Sequence, residues 1–223
     1  MSQVTKPIAE QALREQVIAA AIDLNRSGLS VGNSGNVSAR SKRGALVTPS
    51  GVAYKNLKVA YIVELSLEGT VLSGTLEPSS EWQLHCDIYR ERPEVGAVVH
   101  THSLHATALA CTNRGIPAFH YMVAVAGGDN IRCADYATFG SSELANNALV
   151  ALQQRQACLL AHHGALTLAD TPAKALALAE EVENLAAQYC EVLKIGGATI
   201  LGADEMKRVI EKFSGYGQQD SSN

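Results

Sequence analysis

The sequence predicts an α/β fold: three layers, with helices on both faces of a central mixed, largely antiparallel sheet. Short apolar and β-branched runs alternate irregularly with amphipathic stretches of helical length. Several neighbouring strand runs are joined by turns too short for a parallel crossover, so those pairs must run antiparallel. The chain has 223 residues, 47% hydrophobic and 18% charged, which suits one ordinary globular domain spanning residues 1–223.

The elements follow in order. Ile8, Leu13, Val17, Ile18, Ala21, Ile22 and Leu24 share helical spacing over residues 7–27, and Gly28 stands at a plausible C′ position. Gly32-Asn33-Ser34-Gly35-Asn36 is a cluster of turn formers and reads as a loop. Strand runs are expected at 37–39, 45–47 and 62–67, the last turning at Glu68-Gly69 into 71–72. A helix starts within Pro78-Ser79-Ser80-Glu81, with Ser79 or Ser80 as its cap, and runs to Arg90 before Pro93. Strand 95–101, a short helix at 103–111, and strands near 116–124 and 131–136 come next. Ser141-Ser142-Glu143 opens a helix to about Gln154, followed by strands near 157–161 and 165–168. The longest helix has Thr171 as N-cap, Pro172 at N1 and Gly196 beyond its end. A last helix occupies 203–213, and the tail from Gln218 is expected to be loose.

A net charge of −4 without a Lys/Arg cluster argues against nucleic acid as the main partner. No apolar stretch approaches a membrane span, and the N-terminus lacks a signal-peptide core, so a cytoplasmic protein is expected. Cys86, Cys111, Cys133, Cys158 and Cys190 form no C-x-x-C pair and read as small core hydrophobes.

The chemistry concentrates in histidine. Val98-Val99-His100-Thr101-His102 is a buried strand ending in two imidazoles, which alternation puts on one face. A second pair, His162-His163, follows the apolar run 157–161. Five of the seven histidines lie in or beside these two ends, counting His105. A lone histidine is usually a satisfied core group, but a same-face pair plus a second strand-end pair points to Zn²⁺ or a related ion. Neighbouring strand residues face opposite ways, so only one of His162 and His163 is expected to reach it. Glu81 stands at a helix start. It is either the carboxylate of the site, as fourth ligand or base, or a first-turn acid favourable to the helix dipole. Gly35-Asn36, Thr48-Pro49-Ser50-Gly51 and Ser79-Ser80 can each present N–H or hydroxyl groups to a phosphate, or be ordinary turns and caps. No Walker-type loop occurs.

The ordered strings GNVSAR, TPSG, PSSEW, AVVHTHS, HYM, YATFG and HHGAL run from residue 35 to residue 166. With them the chain resembles the class II aldolase/adducin family. The resemblance implies one Zn²⁺ per subunit, held by His100, His102 and His163, with Glu81 as the acid/base residue that also touches the resting metal. It implies a phosphate pocket of Asn36, Ser50, Gly51, Ser79 and Ser80. Tyr121 matches a catalytic tyrosine donated by the neighbouring subunit of a homotetramer with active sites at subunit interfaces, and Phe139 and Tyr216 match residues that close over the aldehyde. The implied reaction is reversible cleavage of a ketose 1-phosphate, of the L-fuculose 1-phosphate type, to dihydroxyacetone phosphate and an aldehyde such as lactaldehyde.

Related readings are an aldolase for 5-deoxy- or methylthio-pentulose 1-phosphates and a sugar-phosphate 4-epimerase, whose motif has Asp where this chain has Glu81. Another is a non-catalytic adducin-like scaffold, which would lack the metal ligands. A cupin-type metal site is disfavoured, because Glu81 precedes His100 by 19 positions and no suitable acid follows. Roles for His105 and His162 do not follow from the motifs.

Overall fold

The computed structural model describes residues 5–214. The elements are α1 (Thr5–Arg26), β1 (Asn36–Arg40), β2 (Ala45–Val47), β3 (Val63–Leu65), β4 (Val71–Ser73), α2 (Trp82–Glu91), β5 (Ala97–Thr101), α3 (Leu104–Ala110), β6 (Arg132–Ala134), α4 (Ser142–Ala151), β7 (Ala157–Leu160), β8 (Gly164–Ala169), α5 (Pro172–Lys194) and α6 (Ala203–Ser214). The eight strands form one sheet in the order β4-β3-β2-β1-β5-β8-β7-β6. Every pair is antiparallel except β6–β7, which is parallel. The sheet is therefore mixed and mainly antiparallel, as the short connections require.

Alternation along the strands divides the interior into two faces. In β7, Cys158 and Leu160 pack with Leu84, Ile88 and Tyr89 of α2 and with Leu144 and Ala148 of α4. Their neighbours Ala157 and Leu159 pack on the opposite face with Leu109 of α3 and Val182 and Leu185 of α5. In β5, Val98 faces the α2 side. Ala97 and Val99 face Val17, Ala21 and Leu24 of α1 and Ala179 of α5. The three layers follow from this period-2 pattern meeting helices that each carry one apolar stripe.

The helix signals act as the sequence suggests. Gly28 sits at φ +77°, and the Leu29 N–H reaches back to the Leu24 carbonyl at 3.2 Å, closing α1. The Thr171 hydroxyl accepts from the Lys174 N–H, with Pro172 opening α5. Cys86 and Cys158 are buried as expected, but Cys133 and Cys190 are half-buried and Cys111 is exposed on the turn after α3. Among the described residues no helix is long and apolar enough to cross a membrane.

Two expectations about the elements also fail. The strand expected near 116–124 is a single β-bridge, Ile116 with Ile131, followed by a 3₁₀ helix over Tyr121–Ala126. The Phe119 N–H turns back onto the Pro117 carbonyl, and the His120 ring accepts from the Met122 N–H, so local hydrogen bonds win over strand pairing. The second concerns α2. Its N-cap is Glu81 rather than Ser79 or Ser80, and no side chain caps it. The tail from Gln218 lies outside the described residues.

The β7–β8 hairpin brings Gly164 against β5. A Cβ there would stand 2.1 Å from the Thr101 carbonyl oxygen and 3.0 Å from the His102 ring. Gly164→Ala is expected to lower stability by about 1–3 kcal/mol, the range of an overpacked site, read by denaturant titration. A wild-type midpoint would contradict this close approach.

Candidate metal centre

Three strands and one helix end meet at the site. Asn36 opens β1 and lies directly opposite His100 of β5 in the antiparallel register. The loop before it is held by the Tyr54 hydroxyl, which donates to the Ser34 and Gly35 carbonyls at 3.2 and 2.6 Å. Gly35 has φ +77°, and a Cβ there would lie 2.6 Å from the His100 carbonyl oxygen. Glycine is what lets this loop press against the end of β5.

His163 arrives by a turn, not along a strand. β7 ends at Leu160 and β8 begins at Gly164, so Ala161, His162 and His163 form the hairpin loop. His162 takes φ +54°, unusual for a residue with a side chain, and its N–H donates to the Ala110 carbonyl. The reversal sends His163 toward His100 and His102, while His162 meets the Tyr136 ring edge-on at 5.9 Å. Only one histidine of the pair reaches the cluster, as expected, but because of the turn and not strand alternation.

The rings of His100, His102 and His163 stand 4.7–5.0 Å apart between centroids. The His100 and His102 Nε2 atoms are 2.9 Å apart. Glu81 Oε2 lies 3.2 Å from His100 Nε2, and Oε1 lies 3.3 Å from His163 Nε2. The four donor atoms all fall within 4.8 Å of one another. His100 Nδ1 is 3.0 Å from the Ala165 carbonyl oxygen, which only accepts. Nδ1 therefore carries the hydrogen, and the Nε2 lone pair faces the cluster as a ligand requires.

Burial pushes the fully enclosed His100 down to about 3 and lowers His102 as well, so both are bare ligands at neutral pH. Burial works to raise the Glu81 carboxyl, but His100, His163, the Asn36 hydrogen bond and His85 outweigh it and hold it below the ordinary value. The Asn36 amide donates to Oε2 at 3.0 Å, while buried Oε1 has no hydrogen-bond partner among the described residues. A carboxylate oxygen without a hydrogen-bond partner, beside three imidazole ring nitrogens, is a donor set that suits a divalent cation. Those four residues fit a metal. As N-cap, Glu81 turns its carboxylate into this cluster and does not cap α2, which answers the alternative left open by its position.

The cluster opens into a cavity of about 360 Å³. Ser50, Gly51, Ser79 and Ser80 line it with Asn36, on two segments tied together by the Ser50 N–H to Glu77 and Ser79 N–H to Thr48 bonds. Phe139 lines the other side. Tyr136, in the same YATFG string as Phe139 but not singled out from the sequence, also lines it, as does His162, whose role the motifs leave open. Tyr121 does not line this cavity. It is half-exposed in a groove with Phe119, Met122, Leu201 and Phe213. His105 packs against Glu183 at 2.8 Å, and that carboxylate also accepts the His105 and Ala106 N–H groups at the start of α3. Tyr216 lies outside the described residues.

A family model, the class II aldolase and adducin N-terminal domain, matches residues 15–190. A Rhodospirillum rubrum protein named 5-methylthioribulose-1-phosphate/5-deoxyribulose-1-phosphate aldolase is 52% identical over 211 residues, covering 95% of both chains. The Escherichia coli K12 protein named L-fuculose phosphate aldolase is 45% identical over 206 residues, covering 92% of this chain and 95% of that one. A solved structure named L-fuculose 1-phosphate aldolase superposes with a TM-score of 0.88 at 38% identity, covering 91% of this chain and 96% of that one.

His102→Ala is expected to strip divalent metal from the purified protein, as read by elemental analysis. A folded variant with its full metal complement would remove His102 from the ligand set.

Proposed function

The chain belongs to the class II aldolase and adducin N-terminal domain family and is a class II aldolase, a lyase, and we propose that it cleaves a ketose 1-phosphate reversibly to dihydroxyacetone phosphate and a short aldehyde. The observation that carries this reading is the cluster of buried His100 with half-buried His102 and His163 around a buried Glu81 oxygen that has no hydrogen-bond partner among the described residues.

Breaking the C3–C4 bond of such a ketose leaves its electron pair next to the C2 carbonyl. The C4 hydroxyl loses its proton to become the aldehyde, and C3 must gain one. A divalent cation, which we propose to be zinc, one per subunit on His100, His102 and His163, supplies Lewis-acid stabilisation of the charge that develops on the carbonyl oxygen. Glu81 holds the proton exchanged at C3, its carboxylate facing the substrate from the N-terminus of α2. Ser50, Gly51, Ser79, Ser80 and Asn36 hold the phosphate, and the positive end of α2 favours that anion. Anchoring the phosphate converts binding energy into alignment of the reacting carbons. Phe139, with Tyr216, covers the aldehyde end.

Tyr121 manages the C4 oxygen proton at the site of a neighbouring copy in a homotetramer. Its absence from the lining of its own chain's cavity, and the aromatic groove around it, support that assignment. The acid at position 81 and the full set of imidazoles favour an aldolase over an epimerase or an adducin-like scaffold.

The tail of the sugar is narrowed by the relatives' names, which cover 5-deoxy- and 5-methylthio-pentulose phosphates and a 6-deoxyhexulose phosphate. All have a deoxygenated end. The 52% identity to the pentulose-phosphate enzyme favours those substrates over L-fuculose 1-phosphate.

Glu81→Gln is expected to keep metal and substrate binding but slow turnover by a factor on the order of 10² to 10⁴, the worth of a positioned acid/base. Unchanged turnover would remove Glu81 from the proton step. In a panel of ketose 1-phosphates assayed for released dihydroxyacetone phosphate, kcat/KM should be highest for a deoxygenated tail. A preference for fully hydroxylated tails would refute the substrate class.

A further inference from the structure

Behind Glu81 runs a buried polar chain of which the aldolase reading above uses only Asn36. The Asn36 amide donates to Glu81 Oε2, and its Oδ1 meets His85 Nε2 in a hydrogen bond. His85 Nδ1 is 2.6 Å from the Ser38 hydroxyl, which is 2.7 Å from the Tyr89 hydroxyl. Asn36, Ser38, His85 and Tyr89 are all buried, His85 completely.

Each hydrogen in this chain has one permitted place. An ionised Glu81 only accepts, so Asn36 must turn its NH₂ toward it and its carbonyl toward His85. His85 Nε2 must then carry the hydrogen, which leaves Nδ1 bare. Ser38 donates to Nδ1, so the Ser38–Tyr89 bond is donated by Tyr89. The chain reads Tyr89 to Ser38 to His85 to Asn36 to Glu81, with every bond donated in one direction. It requires a neutral His85, and burial supplies this by pushing that ring down to about 4.

The scaffold matches element to element. Asn36 and Ser38 are two apart on β1, and His85 and Tyr89 are four apart on α2. A strand advances about 6.6 Å in two residues and a helix about 6 Å in four, so the two pairs stay in step.

We propose that His85 is a positioning residue for the proton step: by engaging the Asn36 carbonyl it forbids the flipped amide and keeps an N–H aimed at Glu81. A flipped Asn36 would set its carbonyl oxygen against the carboxylate and turn Glu81 away from His100 and His163. The proposal rests on Glu81 carrying the proton step.

The test combines a spectrum with a double-mutant cycle. In metal-free, ¹⁵N-histidine-labelled protein, His85 should show hydrogen on Nε2 and none on Nδ1; the opposite tautomer overturns the proposal. His85→Leu should lower kcat by about 10- to 100-fold, the usual effect of removing a group that orients a ligand. His85→Gln, whose amide N–H can replace the lost donor, should recover most of that loss. In an Asn36→Ala background, His85→Leu should cost little more, because its route of action is gone. Losses that multiply independently, or no recovery with Gln, would make His85 a packing residue only. If His85→Leu does not fold, the tautomer and the Gln variant decide the question. Should Glu81→Gln instead prove fully active, the tautomer readout still reports on the chain itself, so the two failures are separable.

Discussion

The site depends on β5 being paired on both sides at its C-terminal end. Pairing with β1 sets Asn36 opposite His100, and pairing with β8 gives His100 Nδ1 the Ala165 carbonyl. The first pairing supplies the amide that holds Glu81, and the second frees the Nε2 lone pair. Register in a sheet is all-or-none, since a slip of one residue moves every side chain to the other face. A slipped β5 would turn His100 toward α1 and α5, away from α2 and Glu81. The same pairings that close the core therefore define the ligand set, and chemistry and stability cannot be tuned separately there.

Electrostatics suit the centre to a cation. A buried carboxylate is costly unless its oxygens are partnered, and here Oε2 has Asn36 while Oε1 has no donor. Three imidazoles crowd their ring nitrogens into the same small volume, and burial lowers the basicity of His100 and His102 there. A divalent ion relieves both problems at once. The polar chain behind Asn36 belongs to the same logic: a buried network is tolerable when every member is satisfied, and a one-way run of donors satisfies each.

Much of this was legible in the sequence, for physical reasons that differ by residue. His100 and His102 share a face because strands have period 2, and alternation alone is enough to read that. His163 needed the family motif, since its direction is set by a hairpin turn with His162 at positive φ, which no periodicity encodes. Glu81 looked equally like a helix-dipole acid, because its role depends on β1 and β5, remote in sequence. His85 carried a usable signal, four residues beyond Glu81 on one helix, yet a buried histidine on an apolar face reads as core. The misread stretch at 116–124 is apolar enough for a strand, but the Pro117 turn and the His120 cap commit it locally to 3₁₀ geometry. Thr171, Pro172 and Gly28 were read correctly because capping is a local matter.

The cavity is divided in a way that bears on what the enzyme selects. Its polar side is backbone and small hydroxyl residues, tied across two segments and to the N-terminus of α2. Its other side is made of Tyr136 and Phe139, both more than half exposed, together with His162. A rigid grip at one end and exposed rings at the other suit a substrate whose phosphate is constant and whose tail varies. The relatives' names differ in the same place: they agree on a phosphorylated ketose and disagree on the deoxygenated end. In the proposed reaction, proton transfer and charge stabilisation would fall at the strand ends, where packing leaves little freedom. On the proposed function, choice among tails would fall to these exposed rings, which can change without disturbing the register of β5.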